Sequence, residues 1–264
     1  MKFKKHGVIV RQEGKNSNRS DDLIIEAPLE VFINDRPAYF CMRMPGMDRE
    51  LALGICFHDN LLSSIDDIKT IAQMDDGTIR LTMAETRGPG SEEIRIIRSS
   101  SGVFCRDRDF RALLPERGPE NENKFSASLL FAMQDDFFNR QEVFVKTGGA
   151  HAAAIYGRDG GFLAFAEDVG RHNALDKCVG RLLFDRKLHD SYFCMLSSRL
   201  SYEMVMKSGR AGVRVIAAFS APTSLAVKLA RDNELTLIGF LRQPNFNVYA
   251  GDERLQREPS PEQK

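Results

Sequence analysis

The chain carries no net charge: 37 lysines and arginines balance 37 aspartates and glutamates over 264 residues. A general polyanion binder draws its affinity from a large basic excess, so nucleic acid is not expected as a partner. A local basic pocket for a phosphorylated small molecule stays open, because a balanced total says nothing about patches. Long apolar runs are also missing. The basic opening Met1–Lys5 leads into a mixed segment without a signal-peptide core, and no later run is long enough to cross a bilayer. Neither secretion nor a membrane partner is expected. Cysteines are few and scattered, at Cys41, Cys56, Cys105, Cys178 and Cys194. An odd, widely spaced set is neither a disulfide nor a zinc framework. All but Cys105 lie in apolar contexts and read as buried small hydrophobes in a reducing compartment, which makes the cytoplasm the expected location.

What is there divides at a stretch rich in Pro, Gly, Asn and Glu, Pro115–Lys124, the best candidate linker. Before it, the polar first twenty residues suggest a loose start. Leu23–Cys41 alternates like strands, with a turn at Asn34-Asp35-Arg36-Pro37. Arg49–Phe57 reads as a helix capped near Met47-Asp48, and Thr78–Met83 and Glu93–Ile97 read as strands. This predicts a small α+β module over 1–115. After the linker, Ser126 caps a periodic helix through Leu129, Leu130, Met133 and Phe137. Apolar strands follow at Ala152–Tyr156, Phe162–Phe165, Tyr192–Leu196, Val213–Phe219 and Leu235–Leu241. Helical segments lie between several of them, at Asn173–Asp185, Tyr202–Arg210 and Ser224–Asp232. Gly212 is placed as a helix C-cap, and the tail from Glu258 reads as frayed. Alternating strands and helices predict an α/β domain over 116–264, its sheet covered on both faces and partly parallel.

Such sheets gather ligands where strands end and helices begin. Three polar clusters fall there. Lys146-Thr147-Gly148-Gly149-Ala150-His151 precedes a strand. Its paired glycines let a backbone approach a ligand and His151 can transfer a proton, though a tight turn with a structural histidine explains the same residues. Glu167-Asp168-Val169-Gly170-Arg171-His172-Asn173 crowds charge around one glycine between a strand and a helix. Arg171 can grip a phosphate in bidentate fashion, Asp168 or Asn173 can cap the helix, and a solvated loop is the plain alternative. Ser220-Ala221-Pro222-Thr223-Ser224 is either an anion cradle or a simple helix start. Their recurrence at one topological position is the case for a ligand-binding face. Separately, Cys105 lies in a hydroxyl-rich loop with Arg98, Arg106 and Arg108 near in sequence, residues that would stabilise a thiolate. If any cysteine reacts, it is this one; an incidental loop cysteine is the alternative.

These motifs resemble those of the FdhD family, accessory sulfurtransferases for formate dehydrogenase. Glu26-Ala27-Pro28-Leu29-Glu30 and Asn34-Asp35-Arg36-Pro37 are similar to its opening strands, and Met44–Gly54 to its "tPGdd.ELalGfl" segment. Lys146–Ala154 resembles "rTGGvHaAal", and Glu167–Lys177 the long signature "EDVGRHNAlDK". Ser201–Val205, Ser220–Ala226 and Phe246–Tyr249 complete the series in order, so the resemblance spans about Leu23 to Leu255. It implies a cytidine deaminase-like three-layer α-β-α mixed sheet with a small extra N-terminal module, and a homodimer. It implies persulfide sulfur carried from a cysteine desulfurase, through Cys105, to the bis-molybdopterin guanine dinucleotide form of molybdenum cofactor, for formate dehydrogenase. The implied cofactor-binding residues are Gly148, Gly149, His151, Glu167, Asp168, Gly170, Arg171, His172, Asn173, Lys177, Ser220, Pro222, Thr223 and Ser224. To these it adds the segment Phe246, Asn247, Val248, Tyr249, Ala250, Gly251.

The chain departs from the pattern at the cysteine loop, which in the family commonly reads Cys-Gly-x-Cys-Gly. Cys105 matches the second cysteine, Arg106 replaces the following glycine, and Ser101-Gly102 stand where the first would be. Ser198 likewise stands where a glycine commonly precedes Arg199. A two-cysteine relay is excluded, while one persulfide suffices chemically to receive and donate sulfur. The competing reading is a non-catalytic cofactor chaperone. A third, a hydrolytic deaminase, needs His-x-Glu and Pro-Cys-x-x-Cys to hold zinc. Here the segments read His151-Ala152-Ala153 and Pro222-Thr223-Ser224-Leu225-Ala226, so no zinc is expected.

Overall fold

The computed structural model describes residues 1–75, 77–84 and 124–256. The strand expected at Glu93–Ile97, nearly all of the linker, Cys105 and the tail lie outside them. The chain forms two compact units. One holds the described residues of 1–106, 140–153 and 164–188, the other those of 107–139, 154–163 and 189–264.

The first unit opens on a correction. The first twenty residues are not loose but form a long antiparallel hairpin, β1 (Phe3–Gln12) and β2 (Lys15–Ile24). Glu13 and Gly14, at φ 48° and 80°, make its two-residue turn, the conformation that matches strand twist. Both faces meet water along most of its length, so no alternating pattern marks it. A four-stranded sheet follows, ordered β4-β3-β6-β5 from β3 (Ala27–Ile33), β4 (Arg36–Arg43), β5 (Ile68–Gln73) and β6 (Thr78–Met83). Asn34 and Asp35 are both left-handed, which makes the β3–β4 turn the tight one the sequence suggests. On β3, Leu29, Val31 and Ile33 are buried while Glu30 is exposed, the period of two that a one-sided core demands. Each buried aliphatic contributes about 1.5–3 kcal/mol.

Helices α1 (Asp48–His58) and α4 (Arg171–Phe184) pack against one another in the same unit. A Cβ added at Gly54 would lie 2.0 Å from the Asp176 carbonyl oxygen, and one at Gly180 1.8 Å from that of Glu50. The two glycines therefore let the backbones touch. The buried His58 and Asp176 side chains pair across this contact at 2.7 Å.

The second unit holds α2 (Ala127–Asn139), α5 (Tyr202–Arg210) and α6 (Ser224–Asp232), with β9 (Phe193–Leu196), β10 (Val215–Ala218), β11 (Thr236–Arg242) and β12 (Asn245–Ala250). With β7 (His151–Tyr156) and β8 (Phe162–Asp168) these strands make a sheet ordered β12-β11-β10-β9-β7-β8. β9, β10 and β11 run parallel and β12 antiparallel to β11, so the mixed α/β class is as expected. All four residues of β9 and of β10 are buried, the signature of strands covered on both faces. Ser126 Oγ accepts the Leu129 N–H at 3.1 Å, the N-cap expected for α2. The C-cap of α5 is Ala211, and Gly212, at φ 87°, supplies the left-handed residue one position later. Among the described residues no helix is long and apolar enough to cross a membrane.

Candidate functional site

In the first unit Glu167 of one sequence cluster is hydrogen-bonded to the short helix that leads into the other, 146–151. That helix is α3 (Glu142–Thr147). Glu167, buried at the end of β8, accepts the Val143 and Phe144 N–H groups at 2.8 Å each. It thus caps α3 from 24 residues away, satisfying donors that no intrahelical carbonyl reaches. At the other end Gly148 takes φ 64° and donates to the Phe144 carbonyl at 2.7 Å. Thr147 Oγ1 donates to the Val143 carbonyl and accepts the Gly149 N–H. The glycine turn is therefore held at a fixed place by a carboxylate and a hydroxyl. Gly148 is exposed and a Cβ there would meet nothing within 4 Å, so its backbone faces open space.

Asp168, Asn173 and Lys177 are turned inward. Asp168 is fully buried. Its carboxylate pairs with Lys177 Nζ at 2.6 Å and accepts the Met44 N–H at 3.1 Å, the Gly170 N–H at 2.9 Å and Asn173 Nδ2 at 3.0 Å. Lys177 Nζ also donates to the Met44 carbonyl, and Asn173 Nδ2 to that of Met42. These side chains spend their bonds on the protein's own backbone, so they position the turn. The N-cap of α4 is Gly170, with no side-chain cap, so neither Asp168 nor Asn173 takes that role. His172 is buried in the first turn of α4.

The groups left toward solvent are Gly148, Gly149 and half-buried His151 and Arg171. Burial first, and then the positive Arg171, push the His151 pKa below the ordinary 6.5, with Asp168 pulling the other way. His151 is thus neutral at pH 7, one ring nitrogen donating and the other accepting. A guanidinium, a neutral imidazole and the open Gly148 suit an anionic ligand with a proton to exchange.

The second unit, taken by itself, assembles the remaining residues. Thr223 Oγ1 accepts the Ala226 N–H at 3.3 Å, so the Ser220–Ser224 segment does start a helix, with Ser224 exposed on its first turn. A Cβ at Gly239 would lie 3.0 Å from the Tyr249 ring, 3.1 Å from Pro222 Cδ and 3.1 Å from the Ser220 carbonyl. Ser220, Pro222 and Tyr249 therefore meet around one glycine of β11. Phe246 packs edge-on against Phe131, Asn247 Nδ2 reaches the Tyr249 hydroxyl at 3.5 Å, and Val248 pairs with Ile238. Ala250 is buried, and Gly251 at φ 70° accepts the Thr236 hydroxyl.

The sulfur chemistry is narrowed by burial. Cys41, Cys56, Cys178 and Cys194 are all buried. Desolvation, which disfavours a thiolate, pushes Cys41 and Cys194 up to about 12 and Cys56 higher still. Cys178 donates to the Ala153 carbonyl at 3.2 Å. None of the four is placed to act as a nucleophile, and Cys105 lies outside the described residues.

Glycine turns at strand ends and a partly parallel sheet, with a histidine and an arginine near one such turn, define an α/β protein. Comparison with known proteins makes this specific. The model of the FdhD/NarQ family matches residues 24–256, and the chain belongs to that family. It is 34% identical over 256 residues to the sulfur carrier protein FdhD of Sulfolobus acidocaldarius, covering 97% of this chain and 99% of that protein. To the sulfur carrier protein FdhD of Streptomyces coelicolor it is 38% identical over 264 residues, 94% of each. Its fold matches the crystal structure of a Desulfotalea psychrophila protein assigned as a formate dehydrogenase accessory protein, with a TM-score of 0.79 over 97% of this chain and all of that one, at 22% identity.

The sequence did not reveal α3 or its cap. Val143, Phe144 and Val145 are strand formers, and the only local signal of a helix is the Thr147-Gly148 stop. Nor did it reveal that the Met42 and Met44 backbones are the partners of Asp168, Asn173 and Lys177, since a main-chain partner leaves no mark on residue type.

Proposed function

We propose that this protein is a sulfur carrier that loads a persulfide on Cys105 and delivers its terminal sulfur to a molybdenum cofactor destined for formate dehydrogenase. Full-length similarity to sulfur carrier proteins supports the class of reaction. The observation that carries the site is the positive Arg171 acting on neutral His151, beside the open Gly148. The substrate, the bis-molybdopterin guanine dinucleotide form, is rich in phosphate. Arg171 would hold a phosphate and the glycine turn would let it approach, while His151 would accept or return a proton. The donor would be a cysteine desulfurase. Its persulfide sulfur is attacked by the Cys105 thiolate, a sulfur–sulfur bond forms on Cys105, and the donor leaves as its own thiolate. A deaminase-like layering without zinc, a homodimer and a cytoplasmic site of action complete this reading.

A single carrier cysteine is consistent with burial of the four described cysteines. The deciding experiment is mass spectrometry after incubation with a cysteine desulfurase and cysteine. A one-sulfur gain, reversed by reductant and absent from Cys105→Ser, is expected. The missing first cysteine of the family loop favours one alternative, a chaperone that binds cofactor without carrying sulfur. No adduct under conditions that load a two-cysteine relative, with formate dehydrogenase still activated by Cys105→Ser, would establish that alternative instead.

A further inference from the structure

The stretch from Arg43 to Asp48 leaves β4 and enters α1 through an unusual backbone. Gly46 lies at φ 105° and Met47 at 56°, the second a left-handed conformation that a full side chain resists. Three sets of contacts hold it. Arg43 grips Asp48 through two bonds of 2.8 Å, both side chains buried, and the same carboxylate accepts the Gly46 N–H at 3.2 Å. Asp168 accepts the Met44 N–H and Lys177 donates to the Met44 carbonyl, so one ion pair takes both main-chain groups of one residue. The Met44 side chain is buried with Val143 and Ala150, the residues that flank the 147–149 turn, with Ile24 against it. The loop is thus rooted in both clusters of the first-unit site, while Gly46 itself is exposed and a Cβ there would meet nothing within 4 Å.

A buried ion pair is a costly way to fill space. An apolar pair of similar volume commonly stabilises a fold as well or better. What an apolar pair cannot do is present an acceptor and a donor side by side to the N–H and C=O of one residue. That is the geometry found at Met44. We propose that the Asp168–Lys177 ion pair is a latch on Met44 that fixes Pro45-Gly46-Met47 as a third wall of the anion-binding site, with Gly46 the point of close approach. Asp168 and Lys177 are then positioning residues, and Gly46 a ligand-contacting one. The inference rests on the reading of this site as one for a guanine dinucleotide cofactor.

Guanosine diphosphate, which reproduces the nucleotide end of that cofactor, serves as the probe. Its Kd is measured by calorimetry for the full chain, for the apolar double variant Asp168→Leu/Lys177→Met, for Gly46→Ala and for Arg171→Ala. Amide exchange is followed at Met44 and Gly46. In the double variant, exchange at Met44 should rise at least about tenfold while the circular dichroism spectrum is kept. The Kd should rise by about tenfold in the double variant and in Gly46→Ala, the latter with Met44 protection intact. Unchanged exchange in the double variant overturns the latch, as does a double variant that does not fold, since the pair would then serve the fold. An unchanged Kd in Gly46→Ala, with Arg171→Ala weakened, overturns the wall. A wild-type protein that ignores guanosine diphosphate sinks the cofactor reading and the wall with it, and leaves the latch to be decided by exchange alone.

Discussion

The residues that carry this site differ less in type than in where their polar atoms point. Glu167 and Asp168 are neighbours, yet one caps α3 and the other holds Lys177, Met44 and the Gly170 turn. Both spend their bonds within the protein, while His151 and Arg171 are half-buried. His151 makes the most direct prediction at this scale. Its native pKa lies below 6.5 because burial and Arg171 both disfavour the imidazolium. In the unfolded chain the ring regains its ordinary value, so below pH 6.5 the unfolded state binds more protons than the native one. Stability tied to neutral His151 is therefore present above pH 6.5 and lost as pH falls from there through the lowered native value. Urea midpoints of the wild type and His151→Gln, measured from pH 7.5 to 5, should run parallel above 6.5. Below it the wild type should fall faster. Parallel curves over the whole range would mean that His151 keeps its ordinary affinity for protons.

Among elements, the contact of α1 with α4 is the one that leaves least room. Added methyl groups at Gly54 and Gly180 would fall within 2.0 Å and 1.8 Å of backbone carbonyl oxygens, atoms that cannot rotate away. Gly54→Ala and Gly180→Ala should each destabilise by about 3 kcal/mol, read as a shift in the urea midpoint. Gly7→Ala, in the exposed hairpin with nothing within 4 Å of the new Cβ, should cost almost nothing. If all three behave alike, the helices can separate freely and the close approach is incidental. Elements with a one-sided core were legible in the sequence. β3, β4, β6, α5 and α6 follow from alternation, from helical spacing and from caps such as Thr223. Elements shaped by distant partners were not. α3 is a helix although its residues favour strands, because Glu167 supplies the cap from β8. In the site the density of charge from Glu167 to Asn173 was legible, but composition counts charges and carries no direction. It could not separate the inward-facing Asp168, Asn173 and Lys177 from the outward-facing Arg171.

Across the whole molecule, stability should be spread unevenly. β10 is buried at every position and lies between parallel neighbours β9 and β11. Its amides have no route to water short of global opening. The β1–β2 hairpin is the opposite case. Two strands alone are marginal in water, and all ten residues of 11–20, around its turn, are exposed. Among the described residues the root is the part tied down, through Ile24 against the Met44–Val143–Ala150 cluster and through Phe3 under Lys146 at 4.7 Å. Native-state hydrogen exchange should therefore be graded along the hairpin, fastest next to Glu13-Gly14, slower toward Ile24, and slowest of all in Val215–Ala218. The gradient separates two states of the protein in solution. A free chain leaves the turn of the hairpin open and shows it. A homodimer that seats a second copy on the hairpin would protect the turn as strongly as the root, and dilution would restore the gradient as the copies part.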